Sequence, residues 1–363
     1  MKRTWIVSAI IAMSALLIAG GLTPAMALEA KVSGQINQMV LWADDGDQDD
    51  YFIADNDSSS TRIRFTGEEA FGAVKVGIQF EIEAQRNPSN RLTMNQNSEG
   101  SYDGSSQGFE WNDRWLNIYF DTNFGKFEIG KGDAAANNTA EVDLSGTSVI
   151  TYSDMTTTAG SFAWKNEDGS VFGTNISGTH YNFDGILSRS ERVRYNTPTF
   201  AGFQAAASVS NGDGWDSSLW YAADIYGKLA AAIGYTKPQS RAEGTDYQLA
   251  GSVSWLMPFG LNLTASYGMR EYEASDRDSA DGWYGKVGYK TGIHAVSVEY
   301  GLTQDYYNEG YDGTVWGAAY VINPWKPVEL YAAYRNYSLS VDAAGFDDPD
   351  DIQVAMLGTR VKF

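Results

Sequence analysis

Cysteine is absent from the 363 residues, and only two histidines occur, His180 and His294. Without cysteine there is no disulfide, no thiolate metal ligand and no cysteine nucleophile. With so few histidines a nucleophile–base arrangement has little material. His294 borders Thr291-Gly292, Ser297 falls on the opposite face of that segment, and His180 has no partner pattern around it. Positive charge is scarce too: 26 Lys+Arg stand against 46 Asp+Glu, a formal net charge of −20. That balance argues against nucleic acid as a partner. Long apolar runs are missing beyond the N-terminus. The longest uncharged stretches, such as Thr197 to Asn211, alternate or carry Gly, Pro and Gln, and none reaches the roughly 20 apolar residues of a membrane helix. Mean hydropathy is −0.34.

The one apolar run is N-terminal. Lys2 and Arg3 precede Trp5–Leu22, and Ala25-Met26-Ala27 follows. This is the order of a leader peptide cleaved after Ala27. An anchoring helix is the alternative, but the run is short and ends in Gly20-Gly21 and Pro24. The fold is therefore expected in residues 28–363, as one domain without a linker.

What the chain does have is alternation. Val74, Val76, Ile78, Phe80 and Ile82 face one way, and Lys75, Gln79, Glu81 and Glu83 the other. Strand-like runs are read at Lys31–Trp42, Ser60–Glu68, Gly72–Gln85, Glu110–Asp121, Lys126–Gly132, Glu191–Asn196, Gly202–Ser210 and Ser217–Tyr226. They continue at Lys228–Lys237, Asp246–Leu256, Leu261–Glu273, Asp281–Lys290, Ile293–Gln304, Gly313–Ile322, Pro327–Ser340 and Asp351–Phe363. Most approach the roughly 9–11 residues of a tilted transmembrane strand. Short connections carrying Phe71, Phe124, Phe200, Phe259 or Trp325 alternate with longer, Asp-rich ones such as Ala43–Ser59. The last strand places Thr359, Val361 and Phe363 on one face and Arg360 and Lys362 on the other. A ribbon with a greasy face and a charged face suits lipid outside and water inside. The expected fold is all-β: a 16-stranded antiparallel transmembrane β-barrel, with Asp133–Ser190 as the one connection long enough to fill much of its lumen.

Three stretches resemble the general porins of Gram-negative outer membranes. They are Thr61-Arg62-Ile63-Arg64-Phe65-Thr66-Gly67-Glu68-Glu69, the run Arg192-Val193-Arg194-Tyr195-Asn196-Thr197-Pro198-Thr199-Phe200-Ala201-Gly202-Phe203, and the terminal strand. Gly358, Val361 and Phe363 match the signal read by the barrel-assembly machinery, while Met356 stands where that signal usually has a polar residue. The Pro-Glu-Phe-Gly motif of the third loop of enteric members is absent, and Asp143-Leu144-Ser145-Gly146-Thr147 occupies its region. The resemblance implies a homotrimer in outer-membrane lipid and lipopolysaccharide. It also implies a water-filled pore in each subunit, narrowed by the third external loop folded inward, that passes ions and small hydrophilic solutes passively and needs no cofactor.

Arg62 and Arg64 are two apart, so both point to one side of their strand, with Lys75 inward on the next. Arg192 and Arg194 repeat the spacing. These five are the candidate basic wall of a constriction. Lys31, Arg360 and Lys362 continue that wall if the last strand pairs with the first. Guided by the resemblance, the loop acids Glu141, Asp143 and Asp154, with Asp133, are placed opposite it. Charges opposed across a narrow wet gap make a transverse field. The acid clusters Asp44–Asp50 and Asp347–Asp351 are expected at the outer mouth, where they enrich cations and, with lipopolysaccharide, are candidates for divalent ions. Asp44-Asp45-Gly46-Asp47-Gln48-Asp49 lacks the helices and terminal Glu of an EF-hand. A substrate-specific channel and a non-conducting barrel adhesin are the alternatives. The acidic mouth and the basic wall oppose each other in ion preference, with a lean towards cations. Outward Gly34 is read as a small residue suited to close contact between barrels.

Overall fold

The computed structural model describes residues 28–94, 110–239, 244–274, 277–342 and 347–363; the leader read at 1–27 lies outside them. The strands are β1 (Glu29–Asp44), β2 (Asp49–Asp55), β3 (Arg62–Phe71), β4 (Val74–Gln85), β5 (Glu110–Thr122), β6 (Gly125–Asp133), β7 (Ala163–Lys165), β8 (Val171–Asn175), β9 (Arg189–Asn196) and β10 (Phe203–Ser210). There follow β11 (Trp215–Asp224), β12 (Lys228–Lys237), β13 (Thr245–Leu256), β14 (Leu261–Tyr272), β15 (Ala280–Thr291), β16 (His294–Gln304), β17 (Tyr311–Trp325), β18 (Val328–Val341) and β19 (Ile352–Lys362). Among the described residues, sixteen spans close into one antiparallel barrel: β1, the interrupted pair β2–β3, β4 to β6, and β9 to β19. β7 and β8 form a separate small hairpin inside the connection between β6 and β9.

Alternation fixes which side faces in. Val32, Ile36 and Val40 of β1, Ile78 of β4, Leu116 and Ile118 of β5, Val296 and Val298 of β16 and Leu357 and Val361 of β19 are exposed on the outside. An apolar band of this extent around a closed wall is a hydrocarbon-facing surface. Among the described residues no helix is long and apolar enough to cross a membrane; the crossing is made by strands.

The tight turns sit at one end of the barrel. Gly227, at φ +105°, joins β11 to β12, a conformation that side chains with a Cβ rarely adopt. The barrel closes at the same end. Gly34 N–H donates to Phe363 O (2.9 Å), Phe363 N–H donates to Gly34 O (3.0 Å), and Gln35 stands opposite Lys362. The Phe363 ring lies over Gly34, where a Cβ would sit 2.5 Å from the ring. The space left by the missing side chain is thus filled by this chain's own terminus. Gly34 is not free for a second barrel, which corrects the sequence reading.

The acidic segment 43–59 is also not a plain loop. β1 runs on to Asp44, turns at Asp45–Gln48, and returns as β2, paired from Asp44↔Asp49 to Gln38↔Asp55. Asp45 accepts the N–H groups of Asp47 (3.2 Å) and Gln48 (3.0 Å), so the aspartates are used as turn formers.

Candidate functional site

Residues 134–188, between β6 and β9, run along the inside of the wall. Ala135 N–H donates to Ser208 Oγ of β10 (3.0 Å) and Ala136 N–H to Asp216 Oδ2 of β11 (2.8 Å). Val142 and Leu144 N–H donate to Ser252 and Ser254 of β13, both at 2.9 Å. Thr147 meets Ser297 of β16 at 2.8 Å. Finally Arg335 of β18 donates to Tyr152 O (3.0 Å) and Met155 O (3.1 Å). The small hydroxyls on the inward faces let the backbone approach and satisfy its N–H groups.

Beyond Thr147 the contact becomes apolar. Val149, Ile150, Met155, Phe162, Trp164 and Ile176 pack against Met39 and Leu41 of β1, Phe52 of β2, Tyr331 and Tyr337 of β18, and Val354 and Met356 of β19. Trp164 is 0% exposed. Burying a large apolar side chain contributes about 1.5–3 kcal/mol, so this core fixes the segment firmly. It also accounts for Met356: an apolar residue faces inward there because the folded segment lies against it.

The space left open is on the side of β3, β4 and β5. It is a cavity of ≈ 630 Å³ between Arg62, Glu83, Gln85, Arg114, Arg189 and Arg360 of the wall, Asp57–Ser60, and the long segment's Glu141, Tyr152, Asp154, Tyr181 and Asp184; Asn90 and Arg91 also line it. Register explains the wall. Arg62 stands opposite Glu83 and Arg64 opposite Glu81, and a bulge in β5 beside Glu81 and Ile82 turns Arg114 inward. Glu81, 1% exposed, is 3.7 Å from Arg62 and 2.7 Å from Arg114, and it also pairs with Arg64. Glu83 is 2.6 Å from Arg114. Arg189 lies 3.2 Å from Asp133, and Arg360 pairs with Glu329.

Facing this wall, Asp57, Glu141, Asp154 and Asp184 make no ion pair among the described residues. Asp184 accepts the N–H groups of Asn138 (2.6 Å) and Ala140 (2.8 Å), Glu141 accepts from Asn182 (3.2 Å), and Asp154 accepts from Thr156 (2.7 Å). Burial pushes the Asp184 carboxyl up to about 6 despite those two N–H donors. Burial, and then the neighbouring Asp184 and Asp154, push Glu141 well above the usual carboxylate range.

Among the residues singled out in the sequence, Arg62, Arg360, Glu141 and Asp154 line the cavity; Arg64 sits one row towards the tight turns, on Glu81 and 4.4 Å over the Trp115 ring. The others lie elsewhere. Lys75 is at the tight-turn rim, 3.6 Å from Glu68, because β4 begins only one residue earlier. Arg192, 4% exposed, is folded onto Glu128 and the carbonyls of Gly130 and Asp133 (2.9 Å each). Arg194 donates to the carbonyls of Asp133 (3.1 Å) and Ala134 (3.0 Å). These two arginines fasten the start of the inward segment and do not reach the cavity. Asp143 is on the far side, bound to Lys286 Nζ at 2.7 Å. Gly358, Val361 and Phe363 all lie on β19 or its end; a Cβ on Gly358 would collide with Tyr331, and Val361 and Phe363 are exposed outward. At the other mouth the two acidic segments meet, with Asp350 packed on Gly46; among the described residues no acid cluster has the arrangement of a metal site.

Arg114, Glu81, Glu83, Asp57, Asp184 and Arg189 were not chosen from the sequence. For Glu81 and Glu83 the signal was present, since pairing Ser60–Glu68 with Gly72–Gln85 as a hairpin sets them across from Arg64 and Arg62. For Asp57 and Asp184 it was not, because each reaches the lumen on a non-strand segment.

A family model described as Gram-negative porin matches residues 7–342 of the chain. No curated protein sequence matches it. Among solved structures, the fold is similar to an anion-selective porin from Comamonas acidovorans, at 16% identity over 93% of this chain and 100% of that one, TM-score 0.65. It is similar to the trimer form of in-vitro folded OmpT of Vibrio cholerae, at 14% identity over 93% and 100%, TM-score 0.60. Salmonella typhi OmpF in complex with daunomycin is similar at 15% identity over 93% and 98%, TM-score 0.58.

Proposed function

This chain belongs to the Gram-negative porin family, an outer-membrane channel for passive diffusion, and from that premise we propose that it prefers cations. One observation carries the preference. Arg62, Arg64 and Arg114 share Glu81 and Glu83, and Arg189 and Arg360 pair with Asp133 and Glu329, whereas Asp57, Glu141, Asp154 and Asp184 at the cavity have no ion-pair partner among the described residues. A paired guanidinium contributes a weak, short-ranged field; the unpaired carboxylates facing the same wet gap set its sign once they are ionised, Asp184 above about pH 6 and Glu141 only well above the usual carboxylate range. Arg62, Glu141 and Asp154 act in the constriction, with Arg64 behind them.

The proposal includes a homotrimer, in keeping with the trimer form of the similar OmpT fold, and export through the leader 1–27. It also includes the absence of catalysis. His180 is walled into the lumen core at 0% exposure, 3.0 Å from both Thr179 Oγ1 and Thr314 O and out of a solute's reach, and among the described residues the side chain of His294 bonds Tyr320 Oη, at 2.6 Å; neither position supports a nucleophile and base acting together on a solute. The test is a planar bilayer holding the purified protein between unequal KCl solutions. Ohmic steps with a reversal potential of cationic sign are expected. A potential of anionic sign overturns the preference, and silence overturns the channel.

A further inference from the structure

The second span is broken at mid-wall. On β1 the pairing jumps from Gln38↔Asp55 to Gln35↔Arg62, so the excursion Asn56–Thr61 has only Ile36 and Asn37 to face. The surplus chain is driven into the lumen, where Asp57–Ser59 form a single 3-10 turn capped by Asn56.

This turn is bonded on two sides. Towards the wall, Ser59 O accepts from Gln35 Nε2 (3.0 Å) and Asn37 Nδ2 (2.8 Å), and Ser59 Oγ accepts from Arg62 (3.1 Å) and Arg360 (2.5 Å). Towards the long inward segment, Asn56 Nδ2 donates to Val149 O (2.9 Å), Ser58 Oγ donates to Ile150 O (3.3 Å), and Ser58 Oγ meets Thr157 Oγ1 at 2.8 Å. Ser89 Oγ accepts Asp57 N–H (3.0 Å) and donates to Thr157 O (2.6 Å). Asn56 is 0% exposed. Between the two sets of bonds Asp57 lines the cavity together with the loop's acids.

We infer that the break in the second span is a pore-shaping element in its own right: it clamps the long inward segment to the wall and presents Asp57 to the solute path as a residue that sets charge preference. The inference deepens the porin reading and rests on it.

Two experiments on the full-length protein separate the clamp from that reading. The chain has no cysteine, so Ser58→Cys with Thr157→Cys gives a clean cross-linking pair. Oxidation of the folded barrel is expected to produce the intramolecular disulfide, seen as altered gel mobility that a reductant reverses. A folded barrel that does not cross-link overturns the clamp, whatever the conductance. In bilayers at about pH 9, where the Asp57 carboxyl is ionised, Asp57→Asn is expected to lower the cation-over-anion permeability ratio by about twofold or more, and Asp57→Glu to restore it. An unchanged ratio for Asp57→Asn overturns the charge role. The double variant Asn56→Ala with Ser58→Ala is expected to raise single-channel conductance by freeing the segment, and a conductance equal to the parent's counts against the clamp. A parent that conducts nothing overturns the porin reading instead.

Discussion

Glu81 stands beside three guanidinium groups, those of Arg62, Arg64 and Arg114, while almost fully buried. Removing one member of such a cluster leaves buried charge uncompensated. Glu81→Gln therefore makes the wall more positive by one charge. An added unit charge about 4 Å from the path amounts to about 1 kcal/mol in water, roughly fivefold in permeability ratio. We expect reversal-potential measurements on Glu81→Gln to move towards anions by that order. A shift in the opposite direction would show that the three arginines do not face the path. The loop acids give a pH dependence. A carboxyl held above its usual range stays neutral further up the pH scale, so the negative charge of the cavity is gained as pH rises through about 6 at Asp184 and lost as it falls. Cation preference should weaken on acidification through that value, and Asp184→Asn should flatten the profile. Equal profiles for parent and variant would place the titration elsewhere.

At the scale of the element, the terminal strand and the inward segment are held in different ways. β19 ends by laying Phe363 on Gly34 while its backbone completes the ladder to β1. Phe363→Ala keeps the hydrogen bonds but removes the ring. The ring is more than half exposed, so the loss in finished protein is expected near 1 kcal/mol, below the roughly 3–5 kcal/mol of a core Phe→Ala change. Gly34→Val drives a side chain into the ring, and the fraction of folded, heat-modifiable barrel on gels should fall further than with Phe363→Ala. The inward segment depends on side-chain packing. Trp164→Ala opens a cavity in its core at a local cost of about 3–5 kcal/mol, while every strand pair of the wall is retained. A barrel that stays folded, with larger or noisier single-channel currents and new protease cuts between 134 and 188, is the expected result. Unaltered currents would mean that the segment does not bound the path.

The elements differ in how well the sequence announced them. β11 to β18 alternate cleanly between short turns and are legible within a few residues of their ends. β2 was hidden because its Asp49-Asp50 and Asp55 suit loops and caps better than strands; only pairing with the outer half of β1 makes it one. The run Met39-Val40-Leu41-Trp42 is apolar on both faces. That feature marks burial on the inside as well as the outside, and it is the trace in sequence of the lumen core.

For the molecule as a whole, a closed wall and a filled lumen follow from different kinds of information. Closure needs only alternation, turn placement and a terminal strand that pairs with the first, all local properties with a period of two. A barrel of sixteen spans and a long third connection could therefore be read from the residues, as could an inward Arg62 and Arg64. How the long connection crosses the lumen is decided by contacts between residues far apart in the chain: Asn56 with Val149, Lys286 with Asp143, Arg335 with Tyr152. No periodicity encodes such pairs. Which charges are left without a partner follows from that path, because pairing is set within a few ångströms while sequence fixes only the face. Arg192 and Arg62 share one spacing rule, yet one is spent on Glu128 and the carbonyls of β6 and the other lines the cavity. The sequence by itself determined sidedness, because side-chain direction in a strand is a matter of parity; the tertiary structure alone decided the lining of the pore, because that depends on where a non-periodic segment comes to rest.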